Sequence, residues 1–289
     1  MDKKLEPGAQ AGPSELFEVD LSGVPETMLW PLWNRACEMR RADRLIEDPM
    51  AAELVARIDY NFAGHFGRYS VFHAIRARHS DDLIRDYLAA DREHPTVVAL
   101  GEGLDTQFWR LGDDRLRWFS VDLPEAIAVR RRLLPAHPHA TLIEASALDP
   151  SWMENVPGRT PPFITASGLL MYFHEAEVVA LLRRIAETFP GAEMFFDAIP
   201  PFFSRKTMSG FNVTKSYRAP AMPWGITIDE IPDFIREIPG LEILSVQSYA
   251  DPFPKRTRLY RALSLIPGLR RHFAGSLVHL RCAGHGPDG

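Results

Sequence analysis

The 289-residue sequence predicts an α/β protein organised on a mostly parallel, nucleotide-binding sheet. Three observations predict it. The apolar run Thr96-Val97-Val98-Ala99-Leu100 breaks into Gly101-Glu102-Gly103. A second short run, Trp118-Phe119-Ser120-Val121, closes on Asp122, 19 residues after Gly103. Short apolar runs then alternate with helical patterns through the rest of the chain. A strand, a Gly-x-Gly turn, a helix start and a strand ending in a carboxylate form half of a nucleotide site. The glycines let the backbone turn tightly and approach a ligand closely. Asp122, at the end of its strand, can accept both hydroxyls of a ribose.

The remaining elements follow in chain order. Residues 1–24 lack periodic hydrophobics until Leu16 and Phe17, and are expected to form a loosely docked arm. Residues 25–289 read as one domain: a helical cap (25–91), a cofactor-binding core (96–198), an insertion (200–225) and a return to the sheet (226–283). In the cap, Met28, Leu29, Leu32 and Trp33 recur at helix spacing, as do the apolar residues of 50–58 and 71–88. Asp48 can cap the second of these helices and Pro49 fits its first turn. Arg76 and Arg78 are two apart, so a regular helix points them to different sides. Arg110 is expected to pair with an acidic neighbour.

Further strands are expected at 141–145, 162–166, 194–198, 241–249 and 276–282, which brings the sheet to seven. Between them, 174–189 is an amphipathic helix with Val178, Leu181, Leu182 and Ile185 on one stripe. Thr227 and Glu230 form a capping-box pattern opening a helix to Glu237. Asp197 falls near the carboxyl end of its strand, where ligands gather in open α/β sheets. Residues 200–225 show no periodicity and interleave aromatic with basic side chains, a pattern shared by a lid over an acceptor pocket and by an aromatic-packed surface loop. Arg205, Lys206, Tyr217, Arg218 and Trp224 are its candidate pocket residues. The basic segment 255–272 would close one rim.

Composition excludes several classes. A net charge of −5 argues against a nucleic-acid surface, which needs a basic face. Only Cys37 and Cys282 occur, so no disulfide framework or cysteine metal site is implied. Two histidines in the proline-flanked loop 135–139 have no third ligand nearby, and no metal is expected. The N-terminus lacks a signal-peptide core and no 18-residue apolar span follows, so a cytoplasmic protein without a membrane partner is expected. The oligomeric state is not indicated.

The cofactor class turns on one position. A dinucleotide fingerprint wants a third glycine where Thr106 stands, and Thr106 is better suited to capping a helix. S-adenosylmethionine carries no phosphate and needs no pyrophosphate cradle. The wording Val98-Ala99-Leu100-Gly101-Glu102-Gly103-Leu104-Asp105-Thr106-Gln107-Phe108-Trp109-Arg110-Leu111, with Val121-Asp122-Leu123-Pro124-Glu125, resembles the leucine carboxyl methyltransferase family. The likeness is stronger to its bacterial branch of tetracenomycin-type polyketide O-methyltransferases, and it runs from about Pro25 to about Ala283. It implies a class I S-adenosylmethionine-dependent methyltransferase fold, Rossmann-like and seven-stranded, that transfers methyl to the oxygen of a small-molecule acceptor.

The same resemblance implies site residues. The first arginine of the family's Arg-x-Arg pattern, which holds the methionine carboxylate, corresponds to Arg76, with Arg35 a second candidate. Gly101, Gly103, Asp122 and Leu123 would line the cofactor. Ser146, beside Ala147, stands where many relatives place an adenine-binding Asp. Ser167 stands where the family's Glu-Gly-x-Leu-Met-Tyr-Leu has its glutamate. Tyr172, His174 and Asp197 are the candidate catalytic residues. A carboxylate acceptor needs no general base, whereas a phenol with a pKa near ~10 benefits from one. The two serine departures motivate a second reading, a cofactor-binding or partner protein with altered chemistry. A third, a nicotinamide oxidoreductase, rests on Gly-x-Gly alone.

Overall fold

A computed structural model describes residues 16–90, 92, 94–157 and 160–284. The cap comes first: β1 (Phe17–Glu18), a 3-10 turn (Pro25–Met28), α1 (Leu29–Glu38), α2 (Pro49–Arg57), β2 (Ile58–Asp59), α3 (Phe62–Phe66) and α4 (Val71–Ala89). The core follows as β3 (Thr96–Leu100), α5 (Gln107–Leu111), β4 (Arg117–Asp122), α6 (Pro124–Leu133), β5 (Ala140–Glu144), β6 (Phe163–Ala166), α7 (Glu175–Thr188) and β7 (Glu193–Ala198). The chain then makes α8 (Pro201–Met208), α9 (Ile231–Arg236), β8 (Leu241–Ser248), α10 (Arg258–Ser264), α11 (Pro267–Phe273) and β9 (Ser276–Cys282).

Seven strands form one sheet in the order β5-β4-β3-β6-β7-β9-β8, and only β9 runs antiparallel to its neighbours. Strands β3 and β6 lie side by side, with the order running one way from β3 and the other way from β6. That reversal opens a crevice at their carboxyl ends. Strands β3 and β6 are buried along their whole length, as parallel strands covered on both faces must be. The stripe expected on α7 packs into this core, with Val178, Leu181, Leu182 and Ile185 all buried.

Local chemistry sets the cap. Asp48 caps α2 by accepting from the Ala51 amide at 3.0 Å, and Pro49 occupies the first turn. Part of the expected arm is docked, since β1 pairs in parallel with β2; residues 1–15 lie outside the described residues.

Three expectations are corrected. Residues 200–225 are not aperiodic throughout, because α8 occupies Pro201–Met208 and buries Ser204 and Thr207. The helix near Thr227 begins only at Ile231; the Thr227 amide and hydroxyl both donate to Glu230, which closes a turn instead of a first helical turn. The segment between the last two strands, expected only as a basic rim, folds into α10 and α11. Among the described residues no helix is long and apolar enough to cross a membrane.

Candidate active site

A cavity of about 520 Å³ opens at the carboxyl ends of β3, β4, β6 and β7. Its first wall is the turn after β3. Gly101 and Gly103 both take positive φ (+61° and +54°), and a Cβ would fall 2.7 Å from Leu169 or 2.6 Å from Met28. Only glycine closes that turn against these neighbours. The Asp122 carboxylate ends β4 and accepts from the amides of Gly103 (2.7 Å) and Leu123 (2.8 Å). Burial raises its pKa, and the two backbone donors offset only part of that.

The turn is fastened from behind by buried charge. Arg110 reaches Asp81 (3.0 Å), Asp48 (3.2 Å) and Asp105 (2.6 Å). Arg35 binds Asp48 at 2.8 Å and donates to the Leu104 carbonyl at 2.7 Å. Burial alone would raise the Asp105 pKa, but the guanidinium groups of Arg110, Arg35 and Arg130 outweigh it and hold the carboxyl well below its usual range. Arg130, on α6, donates to the carbonyls of Gly103 and Asp105 and pairs with buried Glu102 at 2.7 Å. One arginine from the cap (Arg35 on α1) and two from the core (Arg110 on α5 and Arg130 on α6) thus fix a five-residue turn.

The opposite wall carries a second polar group. Arg76, on α4, pairs with Asp197 at 3.1 Å. Asp197 also accepts from Tyr249 Oη (2.7 Å) and the Gly168 amide (2.5 Å). Burial would lower the Arg76 pKa, and Asp197 more than reverses this, so the guanidinium stays charged. Burial and the Asp197 charge push the Tyr249 hydroxyl far above its ordinary value, so it remains a donor. Gly168 has φ +70°, and a side chain there would run into the Arg76 guanidinium.

The expected residues therefore separate. Arg76, Gly101, Gly103, Asp122, Leu123, Ser167, Tyr172, Asp197 and Arg35 all line the cavity. Arg35, however, is 2% exposed and committed to Asp48 and the Leu104 carbonyl, so it braces the turn. Asp197 positions Arg76, with both carboxylate oxygens engaged by donors. Ser146 and Ala147 fall outside the wall; the Ser146 hydroxyl accepts from the Leu148 amide, and Ala147 is in the core. His174 is exposed at the start of α7, its amide donating to Glu177 at 2.7 Å.

None of the five residues expected to line the acceptor pocket from the insertion does so. Arg205, Lys206 and Arg218 are exposed, with Lys206 over the Phe211 ring at 4.1 Å. Tyr217 is buried edge-on to Phe66 at 4.9 Å. Trp224 is buried between Phe196 and Phe234. The insertion instead presents Phe202, Phe203, Phe211 and Met222 to the cavity. Once α8 forms, its basic residues take the solvent face and its aromatics the inner one.

Sequence reading missed His73 and Tyr249. His73 lies one helical turn before Arg76 and lines the cavity with its Nδ1 buried and unpartnered. Burial, with Arg76 and Arg35 nearby, holds its pKa well below the ordinary value, so the ring is neutral. The i, i+3 spacing to Arg76 was a usable signal. No local signal marked Tyr249, which reaches Asp197 only through the strand order.

This fold and site define a class I S-adenosylmethionine-dependent methyltransferase. A glycine turn without a phosphate cradle, a strand-end carboxylate and a charged arginine across the cavity are a donor set that fits that cofactor. The family model for leucine carboxyl methyltransferase matches residues 29–186. The chain is 32% identical over 244 residues to the tetracenomycin polyketide synthesis O-methyltransferase TcmP of Streptomyces glaucescens, covering 81% of this chain and 87% of that protein. It is 28% identical to the S-adenosyl-L-methionine-dependent methyltransferase dpfgK of Gibberella zeae, covering 78% and 82%. A crystal structure described as a methyltransferase from Thermobifida fusca YX superposes with a TM-score of 0.55 at 19% identity, covering 81% and 93%. The chain belongs to the leucine carboxyl methyltransferase family.

Proposed function

We propose that the protein methylates an oxygen of a small, largely apolar acceptor of polyketide or other aromatic-acid type, the acceptor oxygen being a carboxylate or a phenol. The observation that carries this reading is the division of one cavity into two halves. The turn 101–105, Asp122 and Arg76 form a polar half, whereas Phe202, Phe203, Phe211 and Met222 form an apolar one. S-adenosylmethionine, when bound, supplies an electrophilic methyl on a sulfonium sulfur. Asp122 would hold the ribose, and Arg76 the methionine carboxylate through the donors that Asp197 leaves free.

The chain's own work is alignment and exclusion of water, which is most of what an in-line displacement needs. The aromatic half orients a flat acceptor and desolvates its oxygen. Tyr172, in the wall between the halves, stays protonated because burial raises its pKa, and it can donate to an acceptor oxygen. A carboxylate acceptor needs no base. For a phenol, neutral His73, its Nδ1 unpartnered among the described residues, is a candidate proton acceptor, but the burial and arginines that keep it neutral also make it a weak base.

The test is a transfer assay with labelled S-adenosylmethionine and a panel of polycyclic aromatic acids and phenols, run alongside a cofactor titration. Cofactor binding with label appearing on at least one panel member supports the reading. Cofactor binding with no transfer to any member sinks the acceptor assignment, and failure to bind cofactor would favour the altered, non-catalytic alternative.

A further inference from the structure

The junction between α10 and α11 has the wrong chemistry for a solvent-facing connection. Such connections ordinarily carry Gly, Asn, Asp or Ser. Here the two joining residues are Leu265, 79% exposed, and Ile266, 53% exposed. Leu259 (77%), Leu263 (46%) and Phe273 (49%) are further exposed apolar side chains on the same two helices. Five large apolar side chains this exposed on one small hairpin exceed the scatter expected on a soluble surface.

Charge is segregated to the same place. The protein carries a net −5, yet no Asp or Glu occurs anywhere between Asp251 and Asp288. Within that stretch Lys255, Arg258, Arg261, Arg270 and Arg271 are exposed. Lys255, Arg258 and Arg261 share a shallow groove with Ala262 and Leu265. Arg271 alone of these five pairs with a carboxylate, Asp229, among the described residues.

The hairpin is also attached to the cavity mouth. Tyr260 and Phe273 both line the cavity, and the Tyr260 hydroxyl donates to the Phe273 carbonyl at 2.6 Å. Phe202, on the acceptor wall, packs against Phe273 at 5.3 Å.

The expectation of no membrane partner rests on spanning and signal segments alone and does not bear on surface docking. We infer that the α10–α11 hairpin docks on an anionic membrane surface, with Leu265 and Ile266 inserted below the headgroups and the surrounding arginines on the lipid phosphates and carboxylates. Apolar side chains flanked by cations are the pattern of an interfacial anchor. The apolar side chains stand among exposed cations, an arrangement that an anionic bilayer meets with depth and charge alone and that a protein partner would have to match in shape. Anionic headgroups match the local charge, since each basic residue near such a surface adds attraction that salt screens. Docking would place the apolar mouth against the membrane, where a lipid-soluble acceptor partitions. No part of this inference depends on which acceptor is methylated.

The experiment is co-sedimentation of the full chain with vesicles of phosphatidylcholine alone, or of equal parts phosphatidylcholine and phosphatidylserine. Binding is expected only to the anionic vesicles and should weaken as salt rises. Arg258→Ala and Arg261→Ala should each weaken it about fivefold. The pair Leu265→Asp with Ile266→Asp should abolish it. These two side chains lie outside the cavity wall, so cofactor titration of that pair reports whether the site stays folded. Wild type that ignores anionic vesicles, or a double variant that binds them as wild type does, overturns the inference. A dimer in light scattering that the same pair dissociates would overturn it too, by assigning the tip to a second copy.

Discussion

The two halves of the cavity are held by different physics. On the cofactor side, the turn 101–105 is tied by Arg35, Arg110 and Arg130 to carboxylates and backbone carbonyls, most of them buried. On the acceptor side, α8, α10 and α11 contribute aromatic and aliphatic surface and end in exposed residues such as Met208 and Leu265. Hydrogen-bonded charge tolerates little displacement, because an unpaired buried ion is costly. Ring packing tolerates more, since contacts can re-form after a small shift. On the proposed assignment, the first wall would hold a cofactor of one shape and the second would admit acceptors of several shapes.

The largest expected effect strikes the rigid half. Arg110→Ala leaves Asp48, Asp81 and Asp105 without their shared cation and should cost about 3–5 kcal/mol, read as a lowered urea midpoint. An unchanged midpoint would break the contrast between the halves. The next test lies across the cavity: Arg76→Ala should weaken cofactor binding by about ten- to a hundredfold in calorimetry, the worth of a lost charge-assisted hydrogen bond. Equal affinity for variant and wild type would remove Arg76 from the cofactor site.

Gly168→Ala probes the same group indirectly. It forces a left-handed φ on alanine, at about 1–2 kcal/mol, and presses on the Arg76 guanidinium. Stability and cofactor affinity should both fall; a loss of stability alone would separate the backbone from the arginine.

His73 gives a pH signature. Its folded pKa is depressed from 6.5, so it contributes stability that is present above that value. That contribution is lost progressively as pH falls below 6.5 toward the folded pKa, because only the unfolded ring gains a proton freely. Denaturation at a series of pH values should show a steeper acid-side loss for wild type than for His73→Gln, and parallel curves would contradict the depressed value. The smallest effect belongs to the solvent face of the acceptor wall: Arg205→Ala and Lys206→Ala should each change stability by less than about 0.5 kcal/mol and leave acceptor KM within about threefold.

Much of the cofactor half was legible in the sequence because its signals are local. Gly101, Gly103 and Asp122 are fixed by a turn and a strand end within 22 residues of one another. Asp48 and Pro49 announced a helix start and made one. Other residues were misread where a neighbour from elsewhere in the chain claimed them. Thr106 does take the N-cap position of α5, but its hydroxyl does not cap the helix and goes to Asp48, 58 residues away in sequence, at 2.7 Å. Arg35 was taken as a second candidate for the ligand carboxylate, and Asp48 holds it instead. On the acceptor side, basic and aromatic residues alternate so closely that only the helical phase of α8 decides which face the cavity.

The sequence by itself determined the layered α/β class, the glycine turn, the strand-end carboxylate and a family whose motifs span most of the chain. Those features depend on backbone conformation and short-range periodicity, which neighbouring residues dictate. The tertiary structure decided that Asp197 braces Arg76, that Tyr249 completes the pair and that His73 shares their cavity. Arg76 and Asp197 stand 121 residues apart and meet at 3.1 Å because β7 lies beside β6 and α4 packs over the sheet. Strand order and helix docking are set by burial of the whole core, and no local pattern encodes them.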